Sequence, residues 1–128
     1  MPYRQSPLIE VKQAGKKGLG VFASTDIRRG AVLESVPLVV MREQEIFTAA
    51  PRTTLADYVF SAGPGKVAFA CGYGALYNHS FLPNARCYRR GSRSQVYVAI
   101  RAIRSGEEIT VNYNGNPEGR SKVGFKVG

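Results

Sequence analysis

Turn punctuation constrains this sequence more than any other feature. Gly15, Gly18 and Gly20 flank Lys16-Lys17, and further breakers recur at Arg28-Arg29-Gly30, Gly63-Pro64-Gly65, Gly72 and Gly74, Gly91-Ser92, Ser105-Gly106 and Gly115-Asn116-Pro117. Short β-branched or aromatic runs fill the gaps, which is the pattern of many short strands joined by tight turns. Leu8–Val11, Val21–Ala23, Val32–Val36, Leu38–Met41, Val96–Ile100 and Ile109–Tyr113 read as strands, the fifth most clearly because of its β-branched content. One helix is expected over Leu55–Phe60, behind Thr53-Thr54 as an N-cap, and a second short helical turn over Glu43–Ala49. The fold class is therefore mainly β, a β-dominated α+β domain with a short helical insert.

The 128 residues are enough for one domain with a real core, and no internal repeat or linker divides them. Residues 1–128 read as a single unit, with 114–128 a glycine-rich tail available to complete a binding site. The longest apolar run, Ala31 to Met41, is interrupted by Glu34, Ser35 and Pro37, so no membrane segment is expected. The first residues lack an apolar signal core, which favours a reducing cytosolic or nuclear setting with Cys71 and Cys87 as free thiols. Two cysteines around a single His do not make a zinc spacing, and no metal is expected.

Eighteen Lys and Arg against nine Asp and Glu give a net charge of +9. Such a charge steers acidic partners, so nucleic acid stays open as a partner through the basic surface. A local cluster at Arg86, Arg89, Arg90 and Arg93 reads first as a solvated charged hairpin.

Three segments carry chemistry. Gly15–Ala23 is a glycine-rich loop entering a strand, but it is neither a Walker loop nor a dinucleotide fingerprint. Tyr77–Ala85, YNHSFLPNA, crowds two Asn, the chain's only His and a Ser against an apolar run. A hydrolase reading of His79 beside Ser80 fails for want of a GxSxG elbow. Asn78-His79-Ser80 is also formally a glycosylation sequon, which without an export signal is accidental. Arg104–Tyr113 contains Glu107 and Glu108, and neighbouring residues entering a strand face opposite ways, so they cannot form a catalytic carboxylate pair.

Taken in order, GLGVFA, NHSFLPNA and SGEEITVNY resemble the SET-domain family of protein lysine methyltransferases, and Arg28–Glu34 matches that family's turn and strand after the glycine loop. The resemblance spans roughly residues 8 to 115 and is nearest to minimal free-standing SET domains of viral and bacterial type. It implies a β-clip fold of several small sheets, with the NHS segment threaded beneath the segment ending in the catalytic tyrosine in a knot-like C-terminal substructure. It implies S-adenosylmethionine as cofactor, a substrate protein with an accessible lysine, and histone tails as the leading substrate.

By the same resemblance Tyr113 is the catalytic residue, and main-chain groups of Lys17, Gly18 and Leu19 hold the amino-acid end of the cofactor. Asn78 and His79 contact the adenine end, and Tyr58 and Tyr113 complete the cofactor site. Tyr58, Tyr77 and Val111 line the substrate channel, while Ser80, Pro83 and Asn84 shape the thread. The chain departs from the family pattern in carrying no zinc module and no aromatic just after Tyr113, for which Phe125 is a substitute. Its basic charge conflicts with a basic substrate unless Glu43, Glu45 and Asp57 supply a local acidic field. The competing reading is a non-catalytic basic module of the same scaffold that binds nucleic acid or chromatin. Pairing with a second copy of the chain stays open.

Overall fold

A computed structural model describes residues 3–47, 53–113 and 118. The elements in chain order are β1 (Ile9–Gln13), a 3-10 turn at Gly15–Lys17, β2 (Leu19–Ala23), β3 (Val32–Arg42), α1 (Gln44–Phe47), a second 3-10 turn at Thr54–Asp57, β4 (Val59–Ser61), β5 (Lys66–Ala70), β6 (Asn78–His79), β7 (Ala85–Arg90), β8 (Ser94–Ala99) and β9 (Glu108–Val111). They form a four-stranded sheet in the order β1-β2-β9-β6 and a five-stranded sheet in the order β4-β5-β3-β8-β7.

The long strand β3 organises the larger sheet. Val32 to Pro37 pairs with β8, and Leu38 to Arg42 pairs with β5, so the strand changes partner at Pro37. Proline has no N–H to give to a ladder, and a handover point is where its absence costs least. The Pro37 carbonyl still accepts the Cys71 N–H at 3.0 Å, and the Leu38 N–H donates to the Arg93 carbonyl at 2.8 Å. The two strands expected at Val32–Val36 and Leu38–Met41 are therefore one continuous strand.

The helix expected over Leu55–Phe60 does not form. Residues Thr54–Asp57 make a 3-10 turn, and Val59, Phe60 and Ser61 instead pair with Phe69, Ala68 and Val67 of β5. Thr53 has the extended backbone of a cap, yet its hydroxyl donates to the Ile46 carbonyl at 3.4 Å and caps nothing. A β-branched and an aromatic residue beside an open strand edge gain more from that edge than from a helix too short to sustain itself. Of the helical turn expected over Glu43–Ala49, Gln44–Phe47 is helical, and Thr48 and Ala49 lie outside the described residues. The strands β5, β6 and β7 had no place in the sequence-based expectation.

Both sheets close on one core. Val21, Leu33, Val96, Tyr97, Ile103 and Ile109 are its fully buried centre, and an isolated bridge between Ile27 and Ile103 ties the loops that link the sheets. A smaller cluster of Ile46, Ala56 and Val67 sits under α1.

The polar segment after Tyr77 runs through this interior. β6 pairs with β9 in parallel, Asn78 opposite Thr110 and His79 opposite Val111, and the Ser80 N–H continues the ladder to the Val111 carbonyl at 2.9 Å. It is the one parallel pairing among the described strands. Where β6 ends, Asn84 takes over the pairing of β9 with its side chain. Its amide donates to the Glu108 carbonyl at 2.8 Å and accepts the Thr110 N–H at 2.9 Å, and the residue is only 2% exposed. An Asn side chain reproduces the donor and acceptor of a peptide group, so it stands in for a strand residue that is not there. Replacing Asn84 with Leu, which is similar in volume, should orphan both backbone groups and lower stability by about 2–4 kcal/mol, measured as a shift of the urea midpoint at unchanged slope.

Candidate active site

The glycine-rich loop turns tightly at Gly15–Lys17 and leaves through Gly18, whose φ of 84° is closed to residues with a Cβ except under strain. The Ala14 N–H reaches the Gly18 carbonyl at 2.6 Å and closes the loop. Gly20 is needed for a different reason. A Cβ there would stand 2.7 Å from Glu108 Oε2 and 2.9 Å from Asn78 Nδ2, because these side chains pack on its bare backbone.

Glu108 links three pieces of chain. The Lys17 ammonium donates to Oε1 at 2.5 Å, the Asn78 amide donates to Oε2 at 2.8 Å, and the same amide nitrogen reaches the Leu19 carbonyl at 3.1 Å. A charge-assisted bridge of this kind, with both partners mostly shielded from water, holds the glycine loop against β6 and β9. Glu107 faces the other way, taking the Arg104 N–H at 3.1 Å and the Asn84 amide at 3.2 Å. The sequence alone excludes the two acids as a facing catalytic pair and assigns Glu108 no part in a binding site. The signal for the role of Glu108 was its parity along β9, which puts it on the same side as the glycine loop.

A second network surrounds Tyr77. Its hydroxyl donates to Glu34 Oε1 at 2.9 Å and its ring stacks on Tyr97 with centroids 4.3 Å apart. The Tyr97 hydroxyl donates to the Gly74 carbonyl at 2.9 Å and accepts from the Gln95 amide at 2.8 Å. Burial raises the Glu34 carboxyl above the usual carboxylate range, partly offset by the Tyr77 hydroxyl and the Tyr73 N–H. With its hydroxyl committed to the buried Glu34, Tyr77 offers its carbonyl to Tyr113.

Tyr113 is fastened at both ends. Its hydroxyl donates to the Tyr77 carbonyl at 2.7 Å and its N–H donates to His79 Nδ1 at 2.9 Å. Burial, with the nearby Tyr58 and Glu108, pushes the Tyr113 phenol up to about 12. His79 is fully buried, and its ring lies edge-on to Phe81 and tilted against Tyr113. Because Nδ1 accepts, the imidazole is neutral with its proton on Nε2, and burial lowers its pKa accordingly. Nε2 has no hydrogen-bond partner among the described residues.

Two cavities meet at Tyr113. A cleft of about 320 Å³ is lined by Gly18, Leu19 and Asn78, and a wider one of about 720 Å³ is lined by Val111, Tyr97 and Gln95. Asp57, Tyr58, Ala75, Tyr77 and Tyr113 belong to both walls and form the waist between them. Of the residues singled out from sequence, Gly18, Leu19, Tyr58, Asn78 and Tyr113 surround the smaller cleft, and Tyr58, Tyr77, Val111 and Tyr113 the wider one. Lys17 and His79 line neither, since one turns to Glu108 and the other lies beneath Tyr113. Glu43 and Glu45 also line neither cavity, and Glu45 is engaged with Arg42. Phe125 lies outside the described residues.

These ionisations predict a stability plateau with two edges. His79, held neutral by burial, contributes stability above its ordinary pKa of 6.5 that is lost as pH falls below it. Tyr113, held neutral by burial, contributes stability below its ordinary pKa of 10.0 that is lost as pH rises toward about 12. Urea midpoints measured from pH 4 to 12 should fall at both edges, and Tyr113→Phe should remove part of the alkaline fall while leaving the acid edge in place.

The SET-domain family model matches residues 18–114. A histone-lysine N-methyltransferase of Schizosaccharomyces pombe, specific for H3 lysine-37, is 29% identical over 114 residues, covering 88% of this chain and 77% of the relative. A crystal structure of a candidate histone methyltransferase of Plasmodium falciparum superposes with a TM-score of 0.70 at 28% identity, covering 86% of this chain and 94% of that one. The family match takes in the glycine loop from Gly18, the β6 thread and Tyr113 together, and the chain belongs to the SET-domain family.

Proposed function

We propose that this chain, a protein-lysine methyltransferase, holds S-adenosylmethionine in the smaller cleft and admits the substrate lysine from the wider cavity, the two meeting at the waist of Tyr58, Tyr77 and Tyr113. The observation that carries the reading is that waist: two cavities of different size share a tyrosine-lined wall, as transfer between two separately bound molecules requires. The smaller cleft fits the cofactor's needs in kind. It offers the loop backbone at Gly18 and Leu19, the Asn78 side chain fixed by Glu108, and the ring of Tyr58. When bound, S-adenosylmethionine supplies a methyl group on a positively charged sulfonium.

The protein's task is to present a neutral amine to that methyl. A lysine with an ordinary pKa near 10.4 is neutral in roughly one molecule in a few thousand at pH 7, a cost of about 4–5 kcal/mol. An enclosed waist disfavours the ammonium by desolvation, and a neighbouring sulfonium disfavours it further. Tyr113 does not act as the base. Its phenol keeps its proton up to about pH 12, and that proton is given to the Tyr77 carbonyl. A phenol so committed still accepts through its lone pairs, which orients an amine N–H and leaves the nitrogen lone pair to attack. Val111, on the wall of the wider cavity, borders the space available to a methylated amine. His79 acts at one remove, setting the backbone of Tyr113 through Nδ1.

A histone lysine is the substrate suggested by the names of the relatives, with chromatin as the place of action. Among the described residues no helix is long and apolar enough to cross a membrane.

Calorimetry with S-adenosylmethionine and transfer of a labelled methyl to protein mixtures test the reading, and no binding at millimolar cofactor would sink it. Tyr113→Phe should lower kcat by roughly 10- to 100-fold with cofactor Kd changed less than about threefold. Glu108→Gln should do the reverse, raising cofactor Kd about tenfold by loosening Asn78 and the glycine loop, with a smaller effect on kcat.

A further inference from the structure

The wider cavity carries a charge pattern that family membership does not account for. Its wall runs between the two edge strands of the larger sheet, β4 and β7, which the curl of that sheet brings face to face. Arg89 spans them. From β7 its guanidinium lies over the Phe60 ring of β4, 5.3 Å from the centroid, and donates to the Ser61 carbonyl at 3.4 Å. Arg86 lines the same cavity, its guanidinium 5.9 Å from the Tyr88 ring. Among the described residues neither arginine is paired with a carboxylate. Among the described residues the acid on this wall is Asp57, at the waist shared with the smaller cleft. The approach to Tyr113 is therefore flanked by two arginines, and Glu43 and Glu45 do not line it.

We propose, resting on the methyltransferase reading above, that the wider cavity selects lysines from acidic segments, with Arg86 and Arg89 taking carboxylates of Asp or Glu residues near the target lysine in the substrate chain. A planar guanidinium already laid on an aromatic ring gives up little freedom when it binds a carboxylate, and its fork fits both oxygens. The reacting lysine must enter the cavity that these arginines flank, so the groups they meet are side chains of the same polypeptide. Both arginines and Tyr113 line one cavity, so the recognised carboxylates belong to residues close to the lysine along an extended segment. A segment dense in Lys and Arg meets repulsion at the same place, and the +9 charge of the whole chain adds to it at longer range. The basic surface is then a means of substrate choice.

The test is a series of peptides with one central lysine and flanking positions filled by Glu, Gln, Lys or phosphoserine, assayed for methyl transfer as kcat/KM. The Glu peptides should exceed the Gln peptides by about threefold to tenfold and the Lys peptides by more, with the difference shrinking at high salt. The double variant Arg86→Glu/Arg89→Glu, its folding checked by thermal midpoint, should reverse the order and prefer the Lys peptides, an outcome that lost packing would not give. Equal rates for Glu and Gln, or an order unchanged in the double variant, would overturn the proposal. So would phosphoserine peptides turned over more than tenfold faster than Glu peptides, which would reassign the arginines to phosphate. A single-stranded RNA that inhibits the wild type and spares the double variant, without any preference among peptides, would reassign them to nucleic acid. Cofactor binding with no transfer to any Glu peptide overturns the substrate class alone. No cofactor binding at all overturns the methyltransferase reading with it.

Discussion

Two hydrogen bonds hold this fold to its function, the Tyr113 hydroxyl to the Tyr77 carbonyl and the Tyr113 N–H to His79 Nδ1. Both acceptors lie on the short segment that passes beneath the end of β9. If that segment were displaced, the tyrosine would lose its orientation, the two cavities their shared wall, and β9 its parallel partner. The arrangement explains why a run holding two Asn and the chain's single His lies largely in the interior. A strand of only two residues cannot satisfy the backbone on either side of it, so the side chains of Asn78, His79 and Asn84 do so.

Burying those groups ties several residues into single assemblies. Glu108 is tolerable in a shielded position because Lys17 and Asn78 occupy its oxygens, and the same contacts fix the glycine loop beside β6. Gly20 leaves the room that this requires. On the other side of the waist, Glu34 sits deep because Tyr77 and the Tyr73 N–H satisfy it, and the Tyr77 ring is clamped by Tyr97. Each wall of the waist is thus backed by a shielded carboxylate, Glu34 buried and Glu108 in part, that touches the reacting region through another residue. Half-satisfied networks of this kind are costly, so partial loss of either should act cooperatively.

The larger sheet contributes in a different way. By changing partner at Pro37, β3 carries one hairpin on each side, and the curl of the sheet brings their outer strands, β4 and β7, around the wider cavity. Arg89 then meets Phe60 and Ser61 across the gap. Cation and aromatic ring are 29 positions apart in sequence, and nothing local in either strand announces their contact.

Motif residues were legible in the sequence because their chemistry is local. Gly18 answers a backbone φ open mainly to glycine, and YNHSFLPNA declares its own need for internal partners by its polarity. The outward and inward facing of Glu107 and Glu108 followed from strand parity. The helix over Leu55–Phe60 was misread because an open edge of β5 outweighed a weak helical pattern, and no local signal reports a vacant edge. Strand β6 was not visible at all, since two residues have no periodicity. The sequence by itself determined the turns, the β-rich class and the residues that mark the family, all of which depend on backbone sterics, residue propensity and order along the chain. Only the tertiary structure decided that His79 accepts the Tyr113 N–H and lies outside the cavities, that Glu108 braces Asn78, and that Arg86 and Arg89 flank the approach to Tyr113. Those placements come from pairing between strands distant in sequence, where the winning contact is set by which edges remain open once the core has closed.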